Sequence, residues 1–168
     1  MTISLYQASI PGFIRALENL SAILKKAENS ATERGIDPLI FANARLAPDM
    51  FPLKQQVQIA TDQVKGFGAR VAGMDVPSYP DTENTFPELQ ERLAKTIAFL
   101  KTITPEQIDG QEDRQITFKR RNGPDWNFKG LPYLTDFVLP NLHFHCTTAY
   151  AILRHNGVAL GKMDYLGL

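Results

Sequence analysis

Apolar residues recur at steps of three and four along four stretches of the chain, which predicts four amphipathic helices. The four stretches are residues 5–28, residues 52–72, a third from Thr85 to about Leu100, and a fourth from Leu131 or Leu134 to His155. Residues 39–46 are expected to add at most a short helical turn. Pro11 and Gly12 are expected to delay or kink the first helix, and Gly73 suits the end of the second.

The third helix has a readable start. Thr85 to Glu88 matches a capping box, with Thr85 as the N-cap, Pro87 in the first turn and Glu88 reaching back to the cap. Thr104 opens a second, shorter turn in the same style. Pro140 lies inside the fourth helix, so it is expected to bend that helix or to mark its true start.

Between residues 114 and 130 the apolar period changes from helical spacing to alternation. Ile116 and Phe118 alternate with polar residues, as do Trp126 and Phe128, and turn-forming residues separate the two pairs. This pattern predicts a two-stranded hairpin that lies on the helices. Its basic residues indicate either a solvated strand face or a weak anion site, and they are Lys119, Arg120, Arg121 and Lys129.

These elements together predict an all-α protein, an up-and-down four-helix bundle with a small β-hairpin insertion at about residues 114–130. Residues 1–168 are expected to form a single domain. The tail, residues 158–168, carries two glycines and is expected to pack as an extended strip.

The composition narrows the class of protein. The 168 residues carry 18 basic and 18 acidic side chains, so no net positive field favours nucleic acid or an anionic membrane as a partner. Cys146 is the only cysteine, which excludes an intramolecular disulfide and a cysteine-cage zinc site. The chain shows no signal-peptide pattern and no apolar run of about 18 residues, so we expect a soluble cytoplasmic protein.

The segment LPNLHFHCTTAYAILRHNG, residues 139–157, contains all three histidines and the cysteine. On a helical wheel of about 100° per residue, His145 and Asn141 fall on the apolar face, one turn apart. His143 falls on the opposite side, so the two ring systems of His143-x-His145 diverge and cannot share one ion. The apolar face within about 60° of Asn141 consists of Leu134, Val138, His145, Thr148 and Ile152.

The candidate site is therefore Asn141-x-x-x-His145, with Thr148 nearby and with Gln56 reaching inward from the second helix. A buried imidazole needs a partner, which is a core hydrogen bond, a metal ion or a polar small molecule in a pocket. Asp62 is expected to face water. Two further residues of the segment, Cys146 and His155, are expected to be an inert packing thiol and a cation at the helix C-terminus.

Three segments resemble one bacterial family. LPNLHFHCTTAYAILRHNGVALGKMDYLG, APDMFPLKQQVQIATD and DTENTFPELQERL resemble the domain of unknown function 1993, which is similar to the DinB/YfiT-like superfamily of four-helix bundles. The likeness covers nearly the whole chain, and LRHNGVALGKMDYLG is its most specific part.

The resemblance implies a position for a metal site and also a departure from it. The usual superfamily site has one histidine on the second helix and a His-x-x-x-His pair on the fourth. His145 matches the second member of that pair, whereas Asn141 replaces the first and residues 52–72 contain no histidine. The Zn- or Ni-dependent chemistry of the superfamily is therefore not expected to carry over intact. The resemblance also implies a homodimer.

Three functions remain open at this point. The first is a binding protein that holds a small polar molecule around His145, Asn141, Thr148 and Gln56. The second is a metal-dependent transferase or hydrolase of the DinB/YfiT type, with a divalent metal on His145. The third is a non-catalytic protein that acts through its dimer or another interaction surface.

Overall fold

The structure, a computed structural model, describes residues 2–120 and 122–168. It is mostly helical (61%) and contains a small two-stranded antiparallel sheet. In chain order the elements are α1 (Ile10–Glu33), α2 (Pro38–Asn43), α3 (Leu53–Ala72), α4 (Phe86–Lys101), α5 (Pro105–Ile108), β1 (Gln115–Phe118), β2 (Trp126–Lys129), α6 (Gly130–Pro132), α7 (Leu139–His155) and α8 (Lys162–Leu166), with a π-helical segment (Tyr133–Val138) between α6 and α7.

The four predicted long helices are present, and their apolar faces share one core. Helix α3 packs most extensively against α7, and α4 lies against both α1 and α3, while α1 also contacts α7. Buried apolar residues from all four helices form one cluster, which includes Phe13, Phe67, Leu93 and Ile152. Within the described residues, no helix is long and apolar enough to cross a membrane.

The predicted helix ends are correct where the sequence contains a recognisable capping residue, and they are less accurate elsewhere. Thr85 and Glu88 form the predicted capping box, and Gly73 ends α3 in the left-handed conformation with φ of +72°. The first helix was predicted over residues 5–28 but begins at Ile10 and ends at Glu33. Pro11 lies in its first turn, so the delay expected from Pro11 and Gly12 is confirmed, because proline is accommodated in a first turn and not in a helix interior.

The fourth helix runs through Pro140 because its hydrogen-bond register changes just before that residue. Residues 133–138 form a π-helical segment, and the N–H of Leu139 bonds to the carbonyl of Leu134, five residues earlier. Pro140 then lies in the first turn of α7, where its missing N–H leaves no gap. Of the two alternatives for Pro140, a bend or the true start, the second agrees with the start of the α-helical register at Leu139, and a π-helical turn precedes it.

The hairpin has the predicted position, and an aromatic cluster fixes it to the π-helical segment. Ile116 pairs with Phe128, and Phe118 pairs with Trp126. The Phe118 ring lies 5.5 Å from Tyr133 and 5.7 Å from Phe137, centre to centre. Such ring pairs add about 0.5–1.5 kcal/mol each beyond buried area, so the helix segment stabilises a hairpin that is marginal alone.

The basic residues of the hairpin are engaged at the surface. Lys119 lies 3.3 Å from Asp125 and Lys129 lies 2.8 Å from Asp113, while Arg120 lies over the Trp126 ring. Arg121, the fourth residue of the predicted cluster, lies outside the described residues. These pairings are typical of a solvated strand face.

The tail differs from its prediction. Residues 162–166 form helix α8 and not an extended strip, and this helix packs against α1. Asp164 accepts a hydrogen bond from the N–H of Gly161 and pairs with Lys26, and Asn19 donates to the carbonyl of Tyr165. Sequence reasoning missed the helix because it is only five residues long and its partner is distant in the chain.

Arg92 ties the loop between α3 and α4 to both helices. Its side chain is 1% exposed and pairs with Asp62 at 2.8 Å, Asp81 at 3.0 Å and Glu83 at 3.1 Å. Burial alone lowers the pKa of this guanidinium, but the three carboxylates outweigh burial and raise it. Arg92 also donates to the hydroxyl of Thr61.

The prediction that Asp62 faces water is therefore wrong in part. The side chain is 39% exposed, but its carboxylate binds Arg92 and Lys65. The helical wheel of α3 placed Asp62 opposite the apolar face correctly for that helix alone. It did not account for the long Arg92 side chain, which reaches the carboxylate from α4.

Replacing Arg92 by methionine should lower the free energy of unfolding by about 1–3 kcal/mol, because three carboxylates lose their common partner and only Asp81 is mostly exposed to water. Urea denaturation measures the change. Lys101→Met is the matched control on the same helix, since Lys101 makes only a 3.5 Å surface pair with Glu18; its effect should stay within about 0.5 kcal/mol. Equal losses in the two variants would contradict the assignment.

Candidate functional site

A single polar pair lies between α3 and α7 and joins two of the predicted site residues. The Nδ1 atom of His145 lies 2.7 Å from Oε1 of Gln56, and both side chains are buried, at 8% and 1% exposed. Gln56 comes from the first turn of α3, whose N-terminus is held by the hydrogen bond from Leu53 to the carbonyl of Ala44. The two helices with the most extensive mutual packing therefore fix this pair.

The second hydrogen bond of Gln56 decides the tautomer of His145. The amide nitrogen of Gln56 donates to the carbonyl of Phe51 at 2.9 Å, so the amide oxygen must face the imidazole. An oxygen there accepts, so Nδ1 of His145 carries the proton and donates it. In a neutral imidazole the other nitrogen, Nε2, is then an acceptor with a free lone pair.

Burial keeps that imidazole neutral. It lowers the pKa of His145 from 6.5 to about 4, because the surroundings disfavour the charged ring. At neutral pH the ring therefore carries one proton, on Nδ1, and presents Nε2 as a base and hydrogen-bond acceptor. The same burial raises the pKa of the Cys146 thiol to about 12, so the thiol stays protonated and unreactive.

The free nitrogen of His145 reaches solvent. Every fully buried side-chain nitrogen or oxygen of the described residues has a hydrogen-bond partner, and Nε2 has none among them, so it is accessible. Oδ1 of Asn141 is a second accessible acceptor. The half-buried Asn141 uses its amide nitrogen to donate to the carbonyl of Phe137, and its oxygen has no hydrogen-bond partner among the described residues. Four residues apart on one helix, the two side chains are neighbours that both present acceptors.

Thr148 and the other residues of the segment have different positions. The Thr148 hydroxyl donates to the carbonyl of Phe144 at 2.7 Å, so its proton is used within the helix. His143 is exposed, away from His145, and its Nδ1 lies 3.2 Å from the hydroxyl of Tyr165. His155 is exposed in the last turn of α7. The structure thus brings His145 and Gln56 together and leaves Thr148 without a direct bond to either.

The donor set does not fit a tight divalent metal centre. His145 offers Nε2, and its Nδ1 proton is held by an oxygen, as in many metal-binding histidines. A tight catalytic site needs three good ligands, however, and among the described residues no three His, Cys, Asp or Glu side chains come together. Asn141 and Gln56 are weak ligands, and we therefore derive no chemistry through a zinc or nickel ion.

A separate pocket of about 230 Å³ lies between α1, α7 and α8, and none of the four predicted ligand residues lines it. Its walls include Arg15 from α1, His143 and Cys146 from α7, and Tyr165 from α8. Sequence reasoning missed this pocket. The helical wheel placed His143 away from His145, which agrees with its position in the wall of this pocket. The wall that contains Tyr165 was not predicted, because residues 158–168 were expected to be extended.

The comparisons with known proteins agree with this fold. A crystal structure of a DinB family member protein from Shewanella denitrificans superimposes with a TM-score of 0.91, is 40% identical and covers 98% of this chain and 92% of its own. None of the curated proteins matches significantly. The chain is thus a mostly helical protein similar to a DinB family member. It belongs to the family described as Domain of unknown function (DUF1993), whose model matches residues 5–166, which confirms the resemblance.

The His145–Gln56 hydrogen bond should be measurable as a coupling free energy. His145→Leu leaves Oε1 of Gln56 buried without a donor and should cost about 1–3 kcal/mol in urea denaturation. The double variant with Gln56→Leu removes both partners, so it should cost less than the sum of the single variants, by at least about 0.5 kcal/mol. Strict additivity would show that the two side chains do not interact.

His145 should also make stability depend on pH in a defined window. Between its ordinary pKa of 6.5 and the folded value of about 4, the unfolded chain binds a proton that the folded protein excludes. The contribution is therefore complete above pH 6.5 and is lost as the pH falls towards 4, by at most about 3 kcal/mol.

Urea denaturation of the wild type and of His145→Leu between pH 4 and 6.5 tests the effect. The variant should lack only the part of the pH dependence of stability that is due to His145. His143→Leu is the control, since His143 is exposed and lies outside the His145–Gln56 pair. Parallel curves for the wild type and His145→Leu would show that the imidazole is not kept neutral by burial.

Proposed function

We propose that this DUF1993 protein binds a small polar molecule at His145, at the α3–α7 contact of an up-and-down four-helix bundle. The observation that carries the proposal is the His145–Gln56 hydrogen bond of 2.7 Å. It fixes a neutral ring with Nδ1 as the donor, which leaves Nε2 as an accessible acceptor on a rigid helix. A preorganised acceptor of this kind favours ligand binding, because the side chain loses little conformational entropy when the ligand associates.

The acceptors define the chemistry of the ligand. Nε2 of His145 and Oδ1 of Asn141 both accept hydrogen bonds and lie one helical turn apart. The matching ligand carries at least two N–H or O–H donors on neighbouring atoms, such as a primary ammonium, an amide or a vicinal diol. A ligand with acceptors only would place lone pairs against lone pairs and is excluded on this ground.

The alternative of a metal-dependent transferase or hydrolase draws support from the similarity to a DinB family member. Against it stand Asn141 at the position of a ligand histidine and the lack of a third strong donor in the part of the chain that the structure describes. Metal analysis of protein purified without a histidine tag separates the two. Near-stoichiometric zinc or nickel that is lost in His145→Ala would overturn the binding proposal in favour of the enzyme.

We also propose that the protein forms a homodimer. Support comes from a shallow apolar groove on α7, bordered by Leu46 and Phe144, which are 44% and 56% exposed. Exposed apolar side chains that adjoin one another are typical of interaction surfaces. Sedimentation velocity of the untagged protein tests the assembly, and a monomer at all concentrations would contradict it.

A thermal-shift screen tests the ligand class. The panel pairs small molecules that carry adjacent donors with methylated analogues that only accept hydrogen bonds. Stabilisation should be confined to the donor-bearing members, because a ligand at one hundred times its Kd adds about 2.7 kcal/mol to the free energy of unfolding. The shift should disappear in Asn141→Leu, which retains the buried His145–Gln56 pair, and should persist in the control His143→Leu.

Two results would contradict the proposal. One is a shift that survives both Asn141→Leu and His145→Leu, since binding would then occur elsewhere. The other is equal stabilisation by the donor-bearing and the methylated molecules, since the acceptors of the site would then play no part.

A further inference from the structure

A second site lies on the other side of α7. The pocket between α1, α7 and α8 has a volume of about 230 Å³, which is near the lower end of small-ligand pockets. It is separate from the His145 site, because consecutive residues of a helix point about 100° apart and the pocket is lined by Cys146 and not by His145.

The inner surface of this pocket is apolar. The buried apolar side chains that line it are Phe13, Leu20, Ile23, Leu142 and Cys146, each at most 4% exposed. Among the described residues of its lining, the one buried polar side chain is Ser9, and its hydroxyl already donates to the carbonyl of Leu5. The thiol of Cys146 stays protonated, since burial raises its pKa to about 12, so it acts as a small apolar group. A ligand that enters this space must therefore bring an apolar portion of its own.

The rim of the pocket is cationic and polar. Arg15 is exposed, and within residues 2–120 and 122–168 it makes no ion pair or hydrogen bond, so its guanidinium is available. The exposed His143 and the hydroxyl of Tyr165 lie 3.2 Å apart at the same rim. No described aspartate or glutamate lines the pocket, so nothing in its wall neutralises the arginine.

Helix α8 closes one side of the pocket from the end of the chain. Tyr165 and Leu166 line the pocket. Asn19 donates to the carbonyl of Tyr165 at 3.1 Å, and the hydroxyl of Tyr165 accepts from Thr147 at 3.4 Å. The Tyr165 side chain therefore connects α7 with α8 at the entrance.

We propose that this pocket binds an amphipathic carboxylate, with its apolar chain between Phe13 and Leu142 and its carboxylate on Arg15. The planar guanidinium offers paired N–H donors that match the two oxygens of a carboxylate. The volume suits a chain of medium length and not a long-chain lipid. The juxtaposition of an unpaired arginine with a partly enclosed apolar space, free of described acidic side chains, distinguishes this pocket from a generic surface groove.

The test uses octanoate as the probe and octan-1-ol as the matched molecule without a carboxylate. Binding is followed by methyl NMR shifts of Ile23, Leu142 and Leu166, and Kd is obtained by titration. Octanoate should shift these methyls and bind at least about tenfold more tightly than octan-1-ol, because a charge-assisted hydrogen bond is worth roughly that factor. Absence of octanoate shifts at these methyls, or shifts centred on α3, would overturn the proposal.

Two variants and a control separate the parts of the pocket. Arg15→Gln should weaken octanoate about tenfold and leave octan-1-ol unchanged. Gly12→Leu should abolish binding of both, because the new side chain fills the pocket, and a Cβ at residue 12 meets no heavy atom within 4 Å, so the fold should tolerate it. Arg154→Gln removes another exposed arginine and should change neither affinity.

The alternative occupant is a second copy of the chain. Sedimentation velocity with and without octanoate distinguishes it, because a carboxylate pocket should bind octanoate with no change in oligomeric state. Release of monomers by octanoate, or by Gly12→Leu alone, would show that the pocket is part of a dimer interface and would overturn the proposal. An unchanged octanoate affinity in Arg15→Gln would overturn it as well.

Discussion

The hydrogen bond between His145 and Gln56 is the interaction that orients the polar side chains of the candidate site. It crosses the contact between α3 and α7, the most extensive helix pair in the core. Burial of two polar side chains in such a contact is costly unless each finds a partner, and each does. The bond therefore restricts the relative position of the two helices and also sets the proton on one ring nitrogen. One contact thus determines both local packing and the chemistry presented to solvent.

Helix α7 has three chemically distinct faces as a result. One face carries His145 against α3, a second carries Cys146 and Leu142 towards α1 and α8, and a third exposes Phe144. In the two proposals, the first face would bind a ligand through lone pairs, and the second through apolar contact beside the charge of Arg15. Because the helix is rigid and begins immediately after the π-helical segment, the orientation of these faces is set by where that segment ends.

Much of the fold was predictable from local signals. The capping box at Thr85, the glycine at residue 73 and the alternation at Ile116 each fix an element through neighbours within a few residues. The role of Asp62 and the helix at the tail were not predictable in the same way. Each of these depends on a partner far along the chain, such as Arg92 for Asp62, and spacing within one element carries no information about such a partner.

The site could be predicted in part for the same reason. The direction of His145 follows from helical geometry, and the inward reach of Gln56 from its position at the margin of an apolar stripe. The tautomer required the second bond of Gln56 to Phe51, which lies outside any helix. The pocket at Arg15 required the placement of α8, so the outward direction of His143 on α7 was not sufficient to indicate it.

The lack of buried residues in α8 separates the pocket entrance from the core. This short helix supplies one wall of the pocket, and the Lys26–Asp164 pair and the hydrogen bond from Asn19 to Tyr165 hold it on α1. Substitutions in α8 can therefore reshape the entrance beside Tyr165 while the contact between α3 and α7 stays intact.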